Sequence, residues 1–314
     1  MSGPVRVSVI IASWNAARVL GPCLDSLERQ EVDGGFETIV VNDGSTDDTA
    51  DVLRARQGRL RVVANETNAG FCAANNAGAA IARGRVLFFL NSDTELLGDD
   101  VLERLAAALD DPSVGIVAPK LVNPDGTPQP SCAVHPSVTG ALLVATGAHR
   151  VLPDRVRARL APHRWSHDRS IDTGWVMGAA LALRSEVFHA VGGWWPEKPV
   201  YAEETELAFR VRERGLRVRF DVSAQVMHLG NQSNVQRWSD VQRAERLAVA
   251  DLLFLERNYG GPRRTAIRAI VWAGYAARAV AHRALGHRDR AGAFRAMARV
   301  YAPRATGSRP PAAA

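Results

Sequence analysis

Three short apolar runs in the first hundred residues each stop at a polar cluster, and no other feature constrains the fold as tightly. Val7-Ser8-Val9-Ile10-Ile11 leads into Ala12-Ser13-Trp14-Asn15, and Glu37-Thr38-Ile39-Val40-Val41 into Asn42-Asp43-Gly44-Ser45-Thr46. Val86-Leu87-Phe88-Phe89-Leu90 leads into Asn91-Ser92-Asp93-Thr94. Runs of this length bounded by turn residues read as buried strands. Helical stretches alternate with them, 17–27 among them, so the expectation is an α/β fold of βαβ units on a largely parallel sheet. Ligands of such sheets sit beyond the carboxyl ends of the strands. All three clusters then share one edge, where Asp93 can hold a hard divalent cation against a diphosphate. Ser45 or Thr46 is expected to cap the next helix, with Asp47 and Asp48 at its positive end.

Further along, the pattern predicts a helix over 101–109 and a strand over 115–119. Residues 121–171 read as insertions and short helices beside the acceptor. Strands are expected at 176–183, 217–220 and 224–228, and helices at 204–215 and 237–259. Gly260-Gly261-Pro262 breaks the chain, which suggests a body of residues 1–262 and a tail of 263–314. The tail holds eleven arginines and one acid, Asp289, so its +10 leaves about −4 for the body out of a net +6. Such a tail suits an anionic membrane surface, nucleic acid or plain solvent. No nucleic-acid motif is present, so peripheral membrane contact is the leading expectation and nucleic acid is not an expected partner. Residues 265–281 include Arg268 and Arg278 and fall short of the ~18 uninterrupted apolar residues of a span. Their amphipathic separation is poor, and residues after Pro303 read as disordered. Cys23, Cys72 and Cys132 are far apart and odd in number, which points to a reducing cytosol. The first apolar stretch is too short for a signal peptide. A cytoplasmic location is therefore expected, with peripheral contact at the inner face of the plasma membrane.

Beyond these clusters, Asn68-Ala69-Gly70, Asn75-Asn76, residues 174–179, Gly192-Gly193-Trp194 through Arg210, and His228-Leu229-Gly230-Asn231-Gln232-Ser233 follow in order. Together with residues 7–15, 41–47 and 90–94, this set resembles glycosyltransferase family 2 over roughly residues 5–235, in a rhamnosyltransferase-like branch. The resemblance implies a GT-A fold: an open, mixed, mainly parallel sheet flanked by helices, here with a C-terminal helical extension. It implies an inverting transfer of a sugar, rhamnose in the first instance, to a hydroxyl of a glycan or lipid-linked acceptor in bacterial surface polysaccharide synthesis. The donor would be a dTDP- or UDP-sugar and the cofactor a divalent cation, Mg²⁺ or Mn²⁺.

That chemistry makes two demands: neutralising the leaving diphosphate and deprotonating the acceptor. Asp93 is expected to ligate the metal. The resemblance adds His228, and it puts Asn91 where the family often has a second aspartate. Ala12, Trp14, Asn15, Asp43, Asn68, Gly70 and Asn91 are the expected nucleotide contacts, with Trp14 stacking on the base and Asn75 packing beneath. In Tyr201-Ala202-Glu203-Glu204-Thr205-Glu206, Glu204 matches the family's base and Glu203 stands second, although glutamates replace the usual aspartates. A helix N-terminus also favours acids for its dipole alone. The loop Trp195-Pro196-Glu197-Lys198-Pro199 departs from the family and borders the acceptor side, while Trp175 and Trp194 fit either a sugar platform or the core. Ala12-Ser13-Trp14-Asn15 lacks the glycines of a dinucleotide fingerprint, and no triphosphate-cradling loop is present. Asn91 and the replaced aspartates leave a second reading, a catalytically silent nucleotide-sugar-binding scaffold or sensor.

Overall fold

A computed structural model describes residues 5–160, 165–195, 202–230 and 239–303. The chain divides into two compact units. One comprises Met1–Cys132, Ser166–Pro196 and Glu203–Gly230; the other comprises Ala133–Trp165, Glu197–Ala202 and Asn231–Ala314.

In the first unit, nine strands among the described residues form one sheet. In chain order they are β1 (Val7–Ser13), β2 (Phe36–Asp43), β3 (Arg61–Asn65), β4 (Val86–Leu90), β5 (Thr94–Leu96), β6 (Val114–Val122), β7 (Ile171–Thr173), β8 (Ala180–Arg184) and β9 (Arg217–His228). Their spatial order is β3-β2-β1-β4-β8-β6-β9-β5, with β7 also on β9. Parallel pairs join β1 to β2 and β4, β2 to β3, and β6 to β9; β8, β5 and β7 pair antiparallel. The sheet is thus mixed and mainly parallel. It is flanked by α1 (Ala17–Glu28), α2 (Thr49–Arg54), α3 (Phe71–Ile81), α4 (Val101–Ala108), α5 (Ser185–Ala190) and α6 (Glu203–Glu213). All five residues of β4 are buried because it lies between β1 and β8, hence its unbroken apolar run. The carboxyl ends of β1, β2, β4 and β9 lie on one edge.

Two strand expectations need correction. The run 176–183 is broken: Trp175–Val176 is a short strand of its own, and β8 starts only at Ala180. Conversely, the strands expected at 217–220 and 224–228 are one strand, irregular between Asp221 and Gln225. The polar Asp221 and Ser223 that read as a gap form a local knot, with Asp221 Oδ1 accepting from Ser223 N at 2.9 Å and Ser170 Oγ at 3.1 Å.

The second unit is helical, with Val138–Thr146, Asp154–Leu160, Asp240–Asn258, Gly261–Ala284 and Arg288–Tyr301. Ser239 and Gln242 close a capping box on the helix Asp240–Asn258. A boundary at residue 262 falls inside this unit. The arginines of the tail, expected to meet an anionic membrane surface or solvent, partly serve packing: Arg268 Nε donates to Tyr301 O at 3.1 Å, and Arg278 donates to Val144 O. Both carbonyls end helices, where a guanidinium meets orphan acceptors and the negative dipole end. Among the described residues no helix is long and apolar enough to cross a membrane. The stretch after Pro303 and residues 196–199 of the expected acceptor loop lie outside the described residues.

Candidate functional site

The ends of β1 and β2 are tied to each other by the polar residues that close them. Asn15, at φ 49°, donates its N–H to Ser45 Oγ at 3.0 Å and accepts Thr46 N–H on Oδ1 at 2.8 Å. Ser45 and Thr46 therefore do not cap α2, which has no side-chain cap at Asp48. The side chain of Asp47 reaches both helices instead, accepting from Ala17 N and Thr49 N at 3.1 Å each. Burial alone would raise the Asp47 pKa, but the Thr49 hydroxyl and these N–H groups bring it below the usual carboxylate value. Gly44 has φ +69°, and a Cβ there would come within 2.5 Å of the Thr67 carbonyl carbon. No other residue fits where the β2 exit crosses the 65–70 loop.

Asp43 is buried and spends its carboxylate on that loop. Oδ1 accepts from Asn65 Nδ2 at 2.6 Å and Ala69 N at 3.0 Å, and Oδ2 from Gly70 N at 2.9 Å. Gly70, at φ +90°, opens α3, and Asn68 is exposed on the loop. Asn75 is buried and bonds back to Phe71 O at 2.9 Å. Trp14 and Ala12 are half-buried.

The turn after β4 carries the second half of the site. Thr94 Oγ1 donates to Asn91 O at 2.6 Å and closes the turn, above a Cys23 thiol that burial pushes up to about 12 and so keeps protonated. Antiparallel pairing sets Thr94 opposite His228, and Leu229 N donates to Asp93 O at 3.0 Å. Asp93 Oδ1 and His228 Nε2 lie 3.4 Å apart. Among the described residues no hydrogen bond reaches the Asp93 carboxylate, and the 3.4 Å approach of His228 Nε2 leaves both atoms able to face a cation. A carboxylate and an imidazole nitrogen are suitable donors for Mn²⁺ or Mg²⁺, and ligands at right angles around such an ion stand about 3 Å apart. No group of three candidate metal-binding side chains occurs among the described residues. A cation held by two side chains keeps coordination positions for a diphosphate, so the pair fits the implied metal.

Asn91 N donates to Ala179 O at 2.9 Å, joining this turn to the break before β8. In that break, a Cβ on Gly178 would lie 3.6 Å from Glu204 Cβ and 3.8 Å from Glu204 Oε2. The first turn of α6 carries Glu203, Glu204 and Glu206. Glu206 is buried, whereas Glu203 and Glu204 are half-buried. Asn91, Asp93, His228 and Glu204 are thereby linked through one edge of the sheet. Trp175 is half-buried. Trp194 belongs to the core, 1% exposed, with the Phe71 and Phe89 rings 5.3 Å away. Asn76 grips its backbone, donating to Trp194 O at 2.6 Å and accepting from Trp194 N at 3.0 Å. Two residues escaped the sequence reading. Gln129 Oε1 accepts from His228 Nδ1 at 2.7 Å, and Gln129 Nε2 donates to Asn123 Oδ1 at 3.1 Å. Their only signal was the turn string Asn123-Pro124-Asp125-Gly126-Thr127, which announces a hairpin but no role.

Residues 8–131 match the family described as Glycosyl transferase family 2. The O-antigen biosynthesis protein RfbC of Myxococcus xanthus is 28% identical over 232 residues, which cover 72% of this chain and 17% of that protein. A PGL/p-HBAD biosynthesis glycosyltransferase of Mycobacterium bovis is 39% identical over 110 residues, 34% of this chain and 42% of the relative. The chain thus spans less than half the length of either relative. In structure it is similar to the mannosyltransferase PcManGT from Pyrobaculum calidifontis, in complex with GDP-Man and Mn²⁺. The TM-score is 0.61 at 18% identity, covering 94% of this chain and 86% of that one. The fold is of the GT-A type.

Proposed function

We propose, from the match of residues 8–131 to Glycosyl transferase family 2, that the chain is an inverting glycosyltransferase. It moves a sugar from a nucleotide-diphosphate donor to a hydroxyl of a glycan or lipid-linked acceptor in bacterial surface polysaccharide synthesis. The observation that carries this reading is the open carboxylate of Asp93 facing His228 Nε2 at 3.4 Å, on the edge that also bears Glu204. Glu204 takes the proton of the acceptor hydroxyl as its oxygen bonds to the anomeric carbon, and Glu203 is the second candidate for that role. The bond from that carbon to the donor phosphate oxygen breaks, its electron pair leaving with the diphosphate. Asp93 and His228 would hold the divalent cation, whose chemistry is to neutralise that leaving charge.

Asn15, Asn68, Gly70 and the half-buried Trp14 and Ala12 border the nucleotide, with Asn91 on the diphosphate side. Asp43, its oxygens already bonded, serves the donor by holding the 65–70 loop. dTDP-rhamnose is the first donor to try and a UDP-sugar the second; the O-antigen role in the name of the Myxococcus relative supports the polysaccharide setting. A lipid-linked acceptor would place the reaction at the inner face of the plasma membrane, where the arginine-rich end suits anionic headgroups.

Calorimetric titration of dTDP- and UDP-sugars, with and without Mn²⁺, tests the reading. Cation-assisted binding of one donor, lost in Asp93→Ala, is the expected result. Failure of every nucleotide sugar to bind the intact chain would overturn it, and binding without turnover on supplied acceptors would favour the silent sensor.

A further inference from the structure

His228 has two ring nitrogens, and only a lone pair on Nε2 can serve a cation beside Asp93. Which nitrogen carries the hydrogen is set by the partner of the other. That partner, Gln129, ends a directed chain of hydrogen bonds running through the hairpin that leaves β6. The hairpin is closed by Asn123 N donating to Thr127 O at 2.8 Å and Gln129 N donating to Leu121 O at 2.9 Å.

The direction of the chain follows from its first member. The Asp125 carboxylate only accepts, so at 2.6 Å the Thr127 hydroxyl must spend its single hydrogen on Asp125 Oδ1. Thr127 Oγ1 is left as an acceptor for Asn123, 2.9 Å away, which fixes Nδ2 on that side of the amide. Asn123 Oδ1 then faces Gln129 and takes its Nε2 hydrogen at 3.1 Å. Gln129 is thereby left with Oε1 toward His228, 2.7 Å from Nδ1. An amide oxygen there requires Nδ1–H, and the Nε2 lone pair turns to Asp93. Reversing any one link would set two acceptors or two donors face to face. Burial deepens along the path: Asp125 and Thr127 are exposed, Asn123 and Gln129 half-buried, and His228 only 7% exposed. Gly230 makes room for the relay, since a Cβ on it would lie 3.2 Å from Gln129 Nε2.

We infer that Gln129 is a positioning residue, held by the Asp125–Thr127–Asn123 relay, that locks His228 as the Nδ1–H tautomer and presents Nε2 with Asp93 to the divalent cation. The inference rests on the transferase reading for the identity of that ion.

The test uses the full chain labelled with ¹⁵N-histidine, the His228 signals being assigned by their loss in His228→Gln. Long-range ¹⁵N–¹H spectra, recorded without metal at a pH where the ring is neutral, report the tautomer. The dissociation constant for Mn²⁺ alone is measured alongside. The intact chain is expected to show Nδ1–H at His228. Gln129→Met should mix the tautomers and weaken Mn²⁺ about tenfold, and Gln129→Glu, which keeps an acceptor oxygen for Nδ1 but loses the N–H given to Asn123, should restore the Nδ1–H tautomer. Asn123→Ala leaves Gln129 in place but frees its amide to turn over, and should also mix the tautomers. An Nε2–H signal in the intact chain would overturn the relay. So would a Gln129→Met protein with unchanged tautomer and unchanged Mn²⁺ affinity. Absence of Mn²⁺ binding in the intact chain would instead strike the cation from the transferase reading, with the tautomer still deciding the relay.

Discussion

The two edges of the sheet carry carboxylates in opposite conditions. At the amino ends of the parallel strands, Glu37 is 7% exposed, and its oxygens are fully engaged. Oε1 accepts from Ser8 Oγ and Arg83 N, both at 2.7 Å, and Oε2 accepts from Arg61 Nη1 at 2.8 Å and Arg83 Nη2 at 2.9 Å. These contacts join the starts of β1, β2 and β3 to the segment before β4. At the carboxyl ends, among the described residues, Asp93 has only the long approach of His228. Glu37 uses its charge to fasten strands, and at the other edge Asp43 and Asp47 likewise hold backbone while Asp93 keeps its charge available for a ligand. A carboxylate whose hydrogen-bond capacity is filled from within holds a fold; one left open is suited to chemistry.

The largest expected effect breaks the open edge without touching the closed one. Glu204→Gln keeps the size of the side chain but removes the base, so kcat should fall by about 10³ while donor affinity and melting temperature stay near wild type. Loss of kcat in Glu203→Gln, with Glu204→Gln active, would move the base by one residue. Steady-state kinetics beside a thermal melt separate the outcomes.

The closed edge gives the next largest effect, and it falls on stability. Burial alone would raise the Glu37 pKa, but the bonds from Ser8, Arg61 and Arg83 outweigh it and bring the group down to about 2. Since the folded value lies below the unfolded one, the stabilisation is whole above about pH 4.5 and is lost as the pH falls toward about 2. A shift of this size corresponds to on the order of 3 kcal/mol. Urea unfolding should show Glu37→Gln destabilised by that order at pH 7, with a flatter dependence between pH 4.5 and 2 than the parent. An unmoved urea midpoint would mean that the cluster fastens nothing.

The same contrast explains what could be read in advance. β4 was legible because burial on both faces demands an unbroken apolar run. β3 went unread because Arg61-Val62-Val63-Ala64-Asn65 is an edge strand with Val62 47% exposed, so half its signal faces water. The pairing of Asp93 with His228 rests on the three-residue strand β5, too short to announce itself, and only the family resemblance brought His228 forward. Glu37 carries no local mark either, because its partners come from three distant segments. Arg268 and Arg278 were counted as tail charge, since their helix-end carbonyls exist only once the helices pack.

Gly44 should give a middling effect that reaches the site through the backbone. Gly44→Ala forces a Cβ into the Thr67 carbonyl at a φ of +69°. A loss of about 1–3 kcal/mol is expected, with weaker donor binding because the 65–70 loop must retreat. If urea midpoint and donor affinity fell by unrelated amounts across Gly44→Ala and Gly44→Ser, the loop and the pocket would be separable.

Asp47 is where the contrast between edges is most exposed to refutation, because it stands on the open edge yet has its oxygens filled like Glu37. Its Oδ2 accepts from Ala17 N and its Oδ1 from Thr49 N, so one side chain serves the first turns of α1 and α2. The side chain is exposed, and water replaces much of what is lost. Asp47→Ala should therefore cost only about 1 kcal/mol, the usual scale for a lost helix cap. Hydrogen exchange at Ala17 and Thr49 should quicken, with kcat unchanged and donor affinity lowered at most a few-fold. A loss of kcat as large as that of Glu204→Gln would show that a filled carboxylate can still take part in the chemistry. The rule that separates the two edges would then fail at the residue best placed to test it.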